Sequence, residues 1–442
     1  MARDESLVWK EVYDRFDPWQ PARDPAWRVE RAYSPLAELE ALLKVDRHAP
    51  KVLLAGTTGC GKSTELLRVA SRRAAAEFVV FVDLEQHFSR VLGDEAALRT
   101  LSVWEVLLLV AAAVYRAARE ELGIAFPERM IKDVEQAWER AAVASQSEGA
   151  TEFDFGKVAT SMVVLASAVA TPVAGSAVDG LMRVITEITR GVTRKATLGQ
   201  TRKKLADQND EMQGMLAAVN NLLGEVQRQH PRLLVIVDGL DRVQDLERAR
   251  DLFVHSQVLG ALVCPLVAAG PFPLRHDLAY ANTKGFAPMV LCNEPVFERE
   301  QPRMAGPGAV VFERLFGQRV RDLAAGPIIE PDALRRLVWA SGGHARSFAR
   351  LARQLALTCD SAEVAVAEAR HVEAAIDKQR KLWESGLTRA HREVLREVIA
   401  DPSVAPASTL SYELLEMERL LPYPNRSEWY YPHALLTLEF LR

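Results

Sequence analysis

Residues Lys51 to Thr64 read K-V-L-L-A-G-T-T-G-C-G-K-S-T, an apolar strand pattern that runs directly into G-x-x-x-x-G-K-S. This order predicts a phosphate-binding P-loop between a strand and a helix. Glycines at 56, 59 and 61 allow the backbone N–H groups to approach phosphate oxygens, where a side chain would be in the way. The predicted nucleotide-binding residues are Gly56, Thr57, Thr58, Gly59, Cys60, Gly61, Lys62, Ser63 and Thr64.

Two side chains of this loop have individual predicted roles. Lys62 is expected to reach the β- and γ-phosphates of a nucleoside triphosphate and to act in catalysis, and the Ser63 hydroxyl is expected to bind Mg²⁺. The helix that begins near Lys62 points its positive N-terminal dipole at the same anion. The loop therefore predicts a nucleotide site that needs a second, acidic metal ligand.

The second, acidic ligand is predicted at the end of another strand. Residues 233 to 242 read L-L-V-I-V-D-G-L-D-R, five apolar residues that end in a carboxylate. Asp238, at the end of the strand, is predicted to bind the Mg²⁺ shell as a Walker B aspartate does. Asp241, three residues on, is the predicted residue that orients or activates the attacking water.

These residues carry a resemblance to known ATPase families. The sequence D-G-L-D resembles the NACHT and related clades of the STAND signalling NTPases, and it is similar to the D-D-L-D-R of KAP NTPases. Arg242 departs from the first pattern, in which a second acid is usual, and Gly239 departs from the second, which has Asp there. The resemblance implies a slow nucleotide-driven switch in signalling or antiviral defence, with self-association or a separate effector protein as its output.

A third motif follows the sheet region. Residues 340 to 348 read A-S-G-G-H-A-R-S-F, which resembles the sensor-2 turn G-G-x-P-R of origin-recognition-like AAA+ and STAND ATPases, with Ala345 in place of Pro. The resemblance implies that Arg346 opens a lid helix and contacts the γ-phosphate, and that the nucleotide is ATP or ADP. The alternative is that the two glycines only separate two helices, with Arg346, Arg350 and Arg353 on a solvated face.

Apolar runs separated by helical patterns predict an α/β fold with a parallel sheet and nucleotide at the carboxyl edge of its strands. The predicted strands are Val52–Ala55, Phe78–Leu84, Leu233–Val237, Leu262–Ala269 and Phe286–Leu291. The predicted organisation is an N-terminal lead that packs on the nucleotide site (1–45), a P-loop ATPase core (46–325), a helical lid (326–385) and a winged-helix-like domain (386–442).

The core contains a predicted helical insertion at about 98–229, and within it residues 158–178 contain no charged side chain. A segment of this length could cross a bilayer of about 30 Å as a helix, and KAP ATPases carry membrane segments between their Walker motifs. Pro172 and Gly175 interrupt the segment, so two short helices packed through small residues are the other interpretation. A KAP-like membrane-associated scaffold is accordingly the leading alternative function.

The C-terminal region predicts helices at His391–Ala400 and Leu410–Leu421, followed by a hairpin. This order resembles a winged helix and raises a third alternative, an origin-recognition-like DNA-binding ATPase. The helix in the recognition position carries Glu413, Glu416 and Glu418 against Arg419. Because those carboxylates would repel phosphate, DNA binding is predicted to be absent.

Composition agrees with a multidomain protein of ordinary balance: 442 residues, 49% hydrophobic and 26% charged, with a formal net charge of −4. This charge argues against a broadly nucleic-acid-coating protein. The four cysteines form no C-x-x-C pair, and no secretory signal opens the chain. The expected location is therefore the cytoplasm, at the inner membrane if residues 158–178 do enter a bilayer.

Overall fold

The computed structural model describes residues 8–46, 48–145, 155–166, 198, 203–243, 245–283, 285–302, 304–403, 408–425 and 427–441. The chain divides into two compact units. The sheet unit comprises Pro35–Gly56 and Glu65–Val290, and the lid unit comprises Met1–Ser34, Thr57–Thr64 and Leu291–Arg442. The P-loop residues 57–64 thus pack with the N-terminal lead and the C-terminal half of the chain. The four predicted domain spans stay predictions.

The sheet unit is built on a mainly parallel six-stranded sheet, which confirms the predicted α/β class. Its strands in chain order are β1 (Lys51–Gly56), β2 (Phe78–Asp83), β3 (Val164–Ala166), β4 (Leu233–Asp238), β5 (Leu266–Pro271) and β6 (Ala287–Leu291). Their spatial order is β3-β2-β4-β5-β1-β6, and β2, β4, β5 and β1 pair in parallel. The carboxyl ends of β1 and β4 therefore lie at the same edge of the sheet, with β5 between them.

The strands of this sheet are apolar because both faces are covered. Every residue of β1, β2, β4 and β5 is buried, as expected for a parallel sheet between helical layers. The helix Val103–Leu122 is buried continuously from Val103 to Tyr115 and packs in the same core as β2 and β4. The helices of the sheet unit are Leu36–Val45, Lys62–Arg73 from Glu65 onward, Leu84–Gln86, Glu95–Leu98, Val103–Leu122, Glu128–Ala144, Phe155–Ser161, Asp210–Gln229 and Leu246–Arg250.

Two predicted elements of the sheet unit have different bounds. The strand predicted at Leu262–Ala269 begins only at Leu266, because a 3-10 turn at Leu259–Ala261 precedes it and Val263 is 41% exposed. The predicted helical insertion at about 98–229 is not helical throughout, and its last helix begins at Asp210, where the Asn209 side chain accepts a hydrogen bond from Glu211 N and caps it. One face of that helix is buried, so it is amphipathic.

The uncharged segment 158–178 does not begin as a continuous helix. Residues 158–161 close the helix Phe155–Ser161, and β3 then pairs antiparallel with β2, Val80 opposite Ala166. The prediction of helix is wrong for residues 164–166, because the free edge of β2 pairs with this apolar segment as a strand. Residues 167–178 lie outside the described residues. Among the residues that are described, no helix is long and apolar enough to cross a membrane.

The lid unit is helical and ends in a hairpin. Its helices are Val8–Arg15, Ala309–Val320, Pro331–Ala340, Ala345–Ser361, Ala369–Glu384, Arg389–Ala400 and Thr409–Glu416, with a 3-10 turn at Pro25–Trp27. The hairpin pairs β7 (Leu420–Tyr423) with β8 (Trp429–Pro432). The helix predicted at Leu410–Leu421 is therefore wrong beyond Glu416. Glu418 adopts a left-handed backbone with φ of 61°, which turns the chain from the helix into the strand.

The hairpin packs on the turn between the helices Pro331–Ala340 and Ala345–Ser361. Tyr423 Oη donates to Gly342 O at 2.5 Å, and Glu294 N donates to Gly343 O at 3.1 Å. Gly343 has φ of 71°, and a Cβ placed there would lie 1.8 Å from Glu294 O. Only glycine fits this position, because the backbone of the neighbouring segment occupies the space of any side chain.

We expect Gly343→Ala to destabilise the protein by more than about 3 kcal/mol, since left-handed strain and a backbone clash add together. Gly386→Ala is the matched control, because Gly386 also has positive φ but its Cβ would meet no atom within 4 Å. That variant should lose only about 1 kcal/mol. Urea unfolding of both variants measures the difference, and equal losses would contradict the packing described for Gly343.

Candidate functional site

The P-loop backbone is held by donors from the lead and the lid. His344 Nε2 lies 2.7 Å from Thr58 O, Arg346 N donates to Gly59 O at 3.1 Å, and Arg31 Nη1 donates to Cys60 O at 2.8 Å. Three consecutive carbonyl groups are thus paired. Because each peptide unit is planar, fixing a carbonyl also fixes the direction of the N–H on the same plane. The arrangement therefore sets the orientation of the N–H groups with which a P-loop binds phosphate.

The predicted loop residues keep close local contacts. Lys62 is 4% exposed and its Nζ donates to Thr57 O at 2.9 Å. Thr64 Oγ1 accepts from Ala22 N of the lead at 3.2 Å. Cys60 is buried, with its Sγ 3.5 Å from Leu291 O, so this thiol lies inside the packing of the loop. Lys62 and Ser63 stand in the first turn of the helix Lys62–Arg73, as the sequence predicts.

Gly59 lies close against the start of the lid helix. Its φ is 80°, and a Cβ placed there would lie 2.7 Å from His344 Cε1 and 2.8 Å from Arg346 Cβ. From the sequence, this glycine is predicted to let phosphate approach the backbone. The structure adds a second reason for it, because any side chain would push the lid helix Ala345–Ser361 away from the loop.

Arg31 and Glu294 are residues that the sequence analysis missed. Arg31 Nε donates to Glu294 Oε1 at 2.6 Å, and its Nη2 donates to Cys292 O at 2.7 Å. The Glu294 side chain is 1% exposed, so this is a buried ion pair against the P-loop. Breaking such a pair from one side leaves an uncompensated charge. No local motif marks either residue, since they are 263 positions apart and meet only in the folded lid unit.

His344 is fully buried, and its contacts indicate a neutral ring. Ser347 N donates to His344 Nδ1 at 3.3 Å, so the ring proton lies on Nε2 and is donated to Thr58 O. Burial lowers the pKa of His344 to about 4, although the carboxylate of Glu418 opposes that shift. At neutral pH the residue is therefore a neutral hydrogen-bond donor to the P-loop.

The arginines of the lid helix do not lie on a solvated face, so that alternative is wrong. Arg346 Nη1 donates to Glu418 Oε1 at 3.1 Å, and Arg350 Nη1 donates to Glu418 Oε2 at 2.6 Å. Arg353 lies 3.6 Å from Asp17 and over the ring of Tyr13. The structure thus brings the predicted Arg346 to the P-loop backbone and at the same time pairs its guanidinium with a buried carboxylate.

The predicted acidic residues come together in the sheet unit. Asp238 is 7% exposed at the end of β4, its Oδ1 accepts from Gly239 N at 3.0 Å, and it stands opposite Asp83 at the end of β2. Asp241 follows on the 3-10 turn Leu240–Arg242. Arg242, which departs from the NACHT pattern, lies among these carboxylates.

Arg242 Nη2 donates to Glu85 Oε1 at 2.6 Å. Burial by itself lowers the pKa of Arg242, but the carboxylates of Asp241, Glu85 and Asp238 outweigh it and raise the pKa above its ordinary value. The edge of the sheet therefore concentrates carboxylates around one cation.

The predicted metal ligands have the donor chemistry that Mg²⁺ prefers. Asp238 offers a carboxylate and Ser63 a hydroxyl, both hard oxygen ligands. The described residues include no group of three or more His, Cys, Asp or Glu side chains that could hold a metal by themselves. Mg²⁺ in nucleotide sites is usually bound through one or two protein oxygens plus phosphates and water, so this donor set is compatible with it.

Glu418 is not part of the helix in the recognition position, where it was predicted from the sequence. It lies after the end of that helix and is 4% exposed. It therefore presents no charge to a DNA backbone. Glu413 stays exposed on the helix and lies 3.5 Å from His391. The predicted absence of DNA binding has no support in this arrangement.

Three solved structures align along nearly the whole chain at low identity. Cdc6p from Pyrobaculum aerophilum is 15% identical, with 97% of this chain and 96% of that chain covered at a TM-score of 0.38. The ORC2 protein of Aeropyrum pernix, in ADPNP and ADP complexes, is 13% identical, with coverage of 95% and 93% and a TM-score of 0.39. The ORC1 protein of Aeropyrum pernix, in complex with DNA, is 13% identical, with coverage of 98% and 97% and a TM-score of 0.37. No protein-family model and no curated protein matches the sequence.

We expect the free energy of unfolding to decrease below neutral pH, in part because His344 has a lowered pKa. Its folded pKa of about 4 lies below the ordinary 6.5, so the unfolded chain takes up the proton first. The stabilising contribution is therefore complete above pH 6.5 and is lost between pH 6.5 and about 4, at up to about 1.4 kcal/mol per pH unit. Urea unfolding at pH 7 and pH 5 should show a smaller loss for His344→Gln than for the unchanged protein, and equal losses would contradict a neutral buried ring.

Proposed function

We propose that this protein binds ATP with Mg²⁺ at the P-loop and hydrolyses it slowly, so that bound nucleotide switches the arrangement of the lid and hairpin. One observation carries the proposal: the lead and the lid donate hydrogen bonds to three consecutive carbonyls of a glycine-rich loop at the start of a helix. Such a loop is suited to phosphate. The same bonds couple it to the C-terminal half of the chain.

The side chains have distinct proposed tasks. Lys62 exchanges its bond with Thr57 O for the β- and γ-phosphates, because an ammonium group gains more from a phosphate than from a neutral carbonyl. Arg346, whose backbone already contacts Gly59, contacts the terminal phosphate through its guanidinium. Ser63 and Asp238 hold Mg²⁺, which when bound neutralises charge on the phosphates. Asp241 orients the attacking water or accepts its proton.

The proposed output is a change in the lid unit. His344 and Arg346 begin the helix Ala345–Ser361, and Glu418 connects that helix to the hairpin. A phosphate that draws Arg346 toward itself would change this connection. By the resemblance to STAND ATPases, we propose that the change promotes self-association or engagement of a separate effector protein in signalling or defence.

A second candidate function is nucleotide-dependent DNA binding by the C-terminal elements. The observation that favours it is the burial of Glu418, which leaves Glu413 and Glu416 as the carboxylates of the helix Thr409–Glu416. Fluorescence anisotropy of duplex DNA with ATP or ADP, over a range of salt concentrations, separates the two candidates. Salt-sensitive binding that ATP strengthens would favour the second.

Lys62→Ala should weaken ATP and ADP binding by at least about 100-fold, since it removes charge-assisted bonds to phosphate. Isothermal titration calorimetry with Mg²⁺ present measures this directly. Lys44→Ala is the control, because Lys44 is an exposed lysine at the end of another helix and should leave the affinity unchanged. Unchanged affinity in Lys62→Ala would overturn the proposed phosphate site.

Asp241→Asn should keep ATP affinity within about twofold and slow turnover by about 100-fold, because the amide keeps the shape of the side chain but is a poor proton acceptor. Phosphate release under single-turnover conditions measures the hydrolysis step. If the variant hydrolyses ATP at the unchanged rate, Asp241 is not the residue that acts on the water.

A further inference from the structure

The geometry points to Glu418 as the residue that sets the preference of the phosphate site between nucleoside diphosphate and triphosphate. Its carboxylate binds Arg346 as an alternative anion, so that a terminal phosphate has to replace the carboxylate as the partner of Arg346. This inference rests on the proposed function, in which Arg346 contacts that phosphate.

Glu418 lies just after the end of a helix, where the chain turns into the hairpin. It is between the helix Thr409–Glu416 and β7, with φ of 61°. The helix end holds this left-handed backbone, because Glu418 N donates to Leu415 O at 3.3 Å and Arg419 N donates to Leu414 O at 2.8 Å. The side chain is 6% exposed and receives Arg346 on one oxygen and Arg350 on the other.

The carboxylate is ionised despite its burial. Burial by itself raises the pKa of Glu418, but the guanidinium groups of Arg350 and Arg346 oppose it, and the pKa lies below its ordinary value. A buried carboxylate of this kind is stable only while its cationic partners remain. Its attraction for Arg346 is therefore substantial, and a competing anion has to overcome it.

The guanidinium groups are also positioned from the opposite side. Arg346 and Arg350 lie over the ring of Trp19, at 4.9 and 5.2 Å from its centroid, and Arg350 lies 5.0 Å from that of Trp383. Cation–π contact of this kind keeps both groups next to the carboxylate without using their N–H donors. Arg346 Nε donates to Pro18 O at 3.2 Å, and its Nη1 donates to Glu418.

Arg346 contacts both the P-loop and Glu418. Arg346 N donates to Gly59 O, so its side chain originates on the P-loop backbone while its guanidinium reaches Glu418. Guanidinium binds carboxylate and phosphate with the same planar fork of donors, and the two are alternative partners. A diphosphate has no terminal group to compete for Arg346. Glu418 therefore opposes triphosphate binding and leaves diphosphate binding nearly unaffected.

The test compares affinities for ADP and for a non-hydrolysable ATP analogue, both with Mg²⁺, by calorimetry on the full chain. Glu418→Gln should tighten analogue binding by about tenfold, the size of one charge-assisted hydrogen bond, and change ADP affinity by less than about twofold. In an Arg346→Ala background the same substitution should have no effect on the ratio of the ADP and analogue affinities. Glu413→Gln removes the same charge from an exposed position and should leave both affinities unchanged.

A second variant keeps the proposal testable if Glu418→Gln does not fold. Arg350→Met leaves Arg346 as the one guanidinium bonded to Glu418 among the described contacts, so it should strengthen that pair and shift the ratio toward ADP. An unchanged ratio of the ADP and analogue affinities in a folded variant, or a shift of the opposite sign, overturns the inference about Glu418 but not the proposed ATP site. If the unchanged protein binds neither nucleotide, both the proposed function and this inference fail.

Discussion

Hydrogen bonds to three consecutive P-loop carbonyls are the interaction on which the arrangement of the lid unit depends. His344, Arg346 and Arg31 reach Thr58, Gly59 and Cys60 from two distant parts of the chain. A glycine-rich loop has large conformational freedom, and ordering it costs more entropy than ordering an ordinary turn. Donors supplied by packed elements offset that cost and keep the peptide planes in one orientation before any ligand binds.

Charge balance around Glu418 extends this constraint to the hairpin. The carboxylate, two guanidinium groups and the neutral ring of His344 form one cluster, and removing the carboxylate leaves both guanidinium groups without this counter-ion. Packing alone would allow the hairpin and the lid helix to shift against each other by small steps. A buried ionic cluster allows fewer arrangements, because each one has to satisfy the same charges.

Sequence patterns predicted the parallel strands, the P-loop and the carboxylate at the end of β4, because these signals are local and repeat with the period of the element. They predicted the wrong element at two places where the same local pattern is compatible with a helix or a strand. Residues 164–166 read as helix but pair with the edge of β2, and residues 420–421 read as the end of a helix but begin β7. In both cases a neighbouring element offered a better partner than the local pattern could indicate.

The sequence by itself determined where the proposed phosphate and metal ligands stand along the chain: Lys62 and Ser63 at the start of a helix, Asp238 at the end of a strand. Those positions follow from strand, turn and helix geometry, which a few neighbouring residues decide. Only the tertiary structure decided the partners of Arg31, His344 and Arg346. A buried ion pair or a bond to a loop carbonyl joins residues tens to hundreds of positions apart, and its energy exists only when packing removes both groups from water.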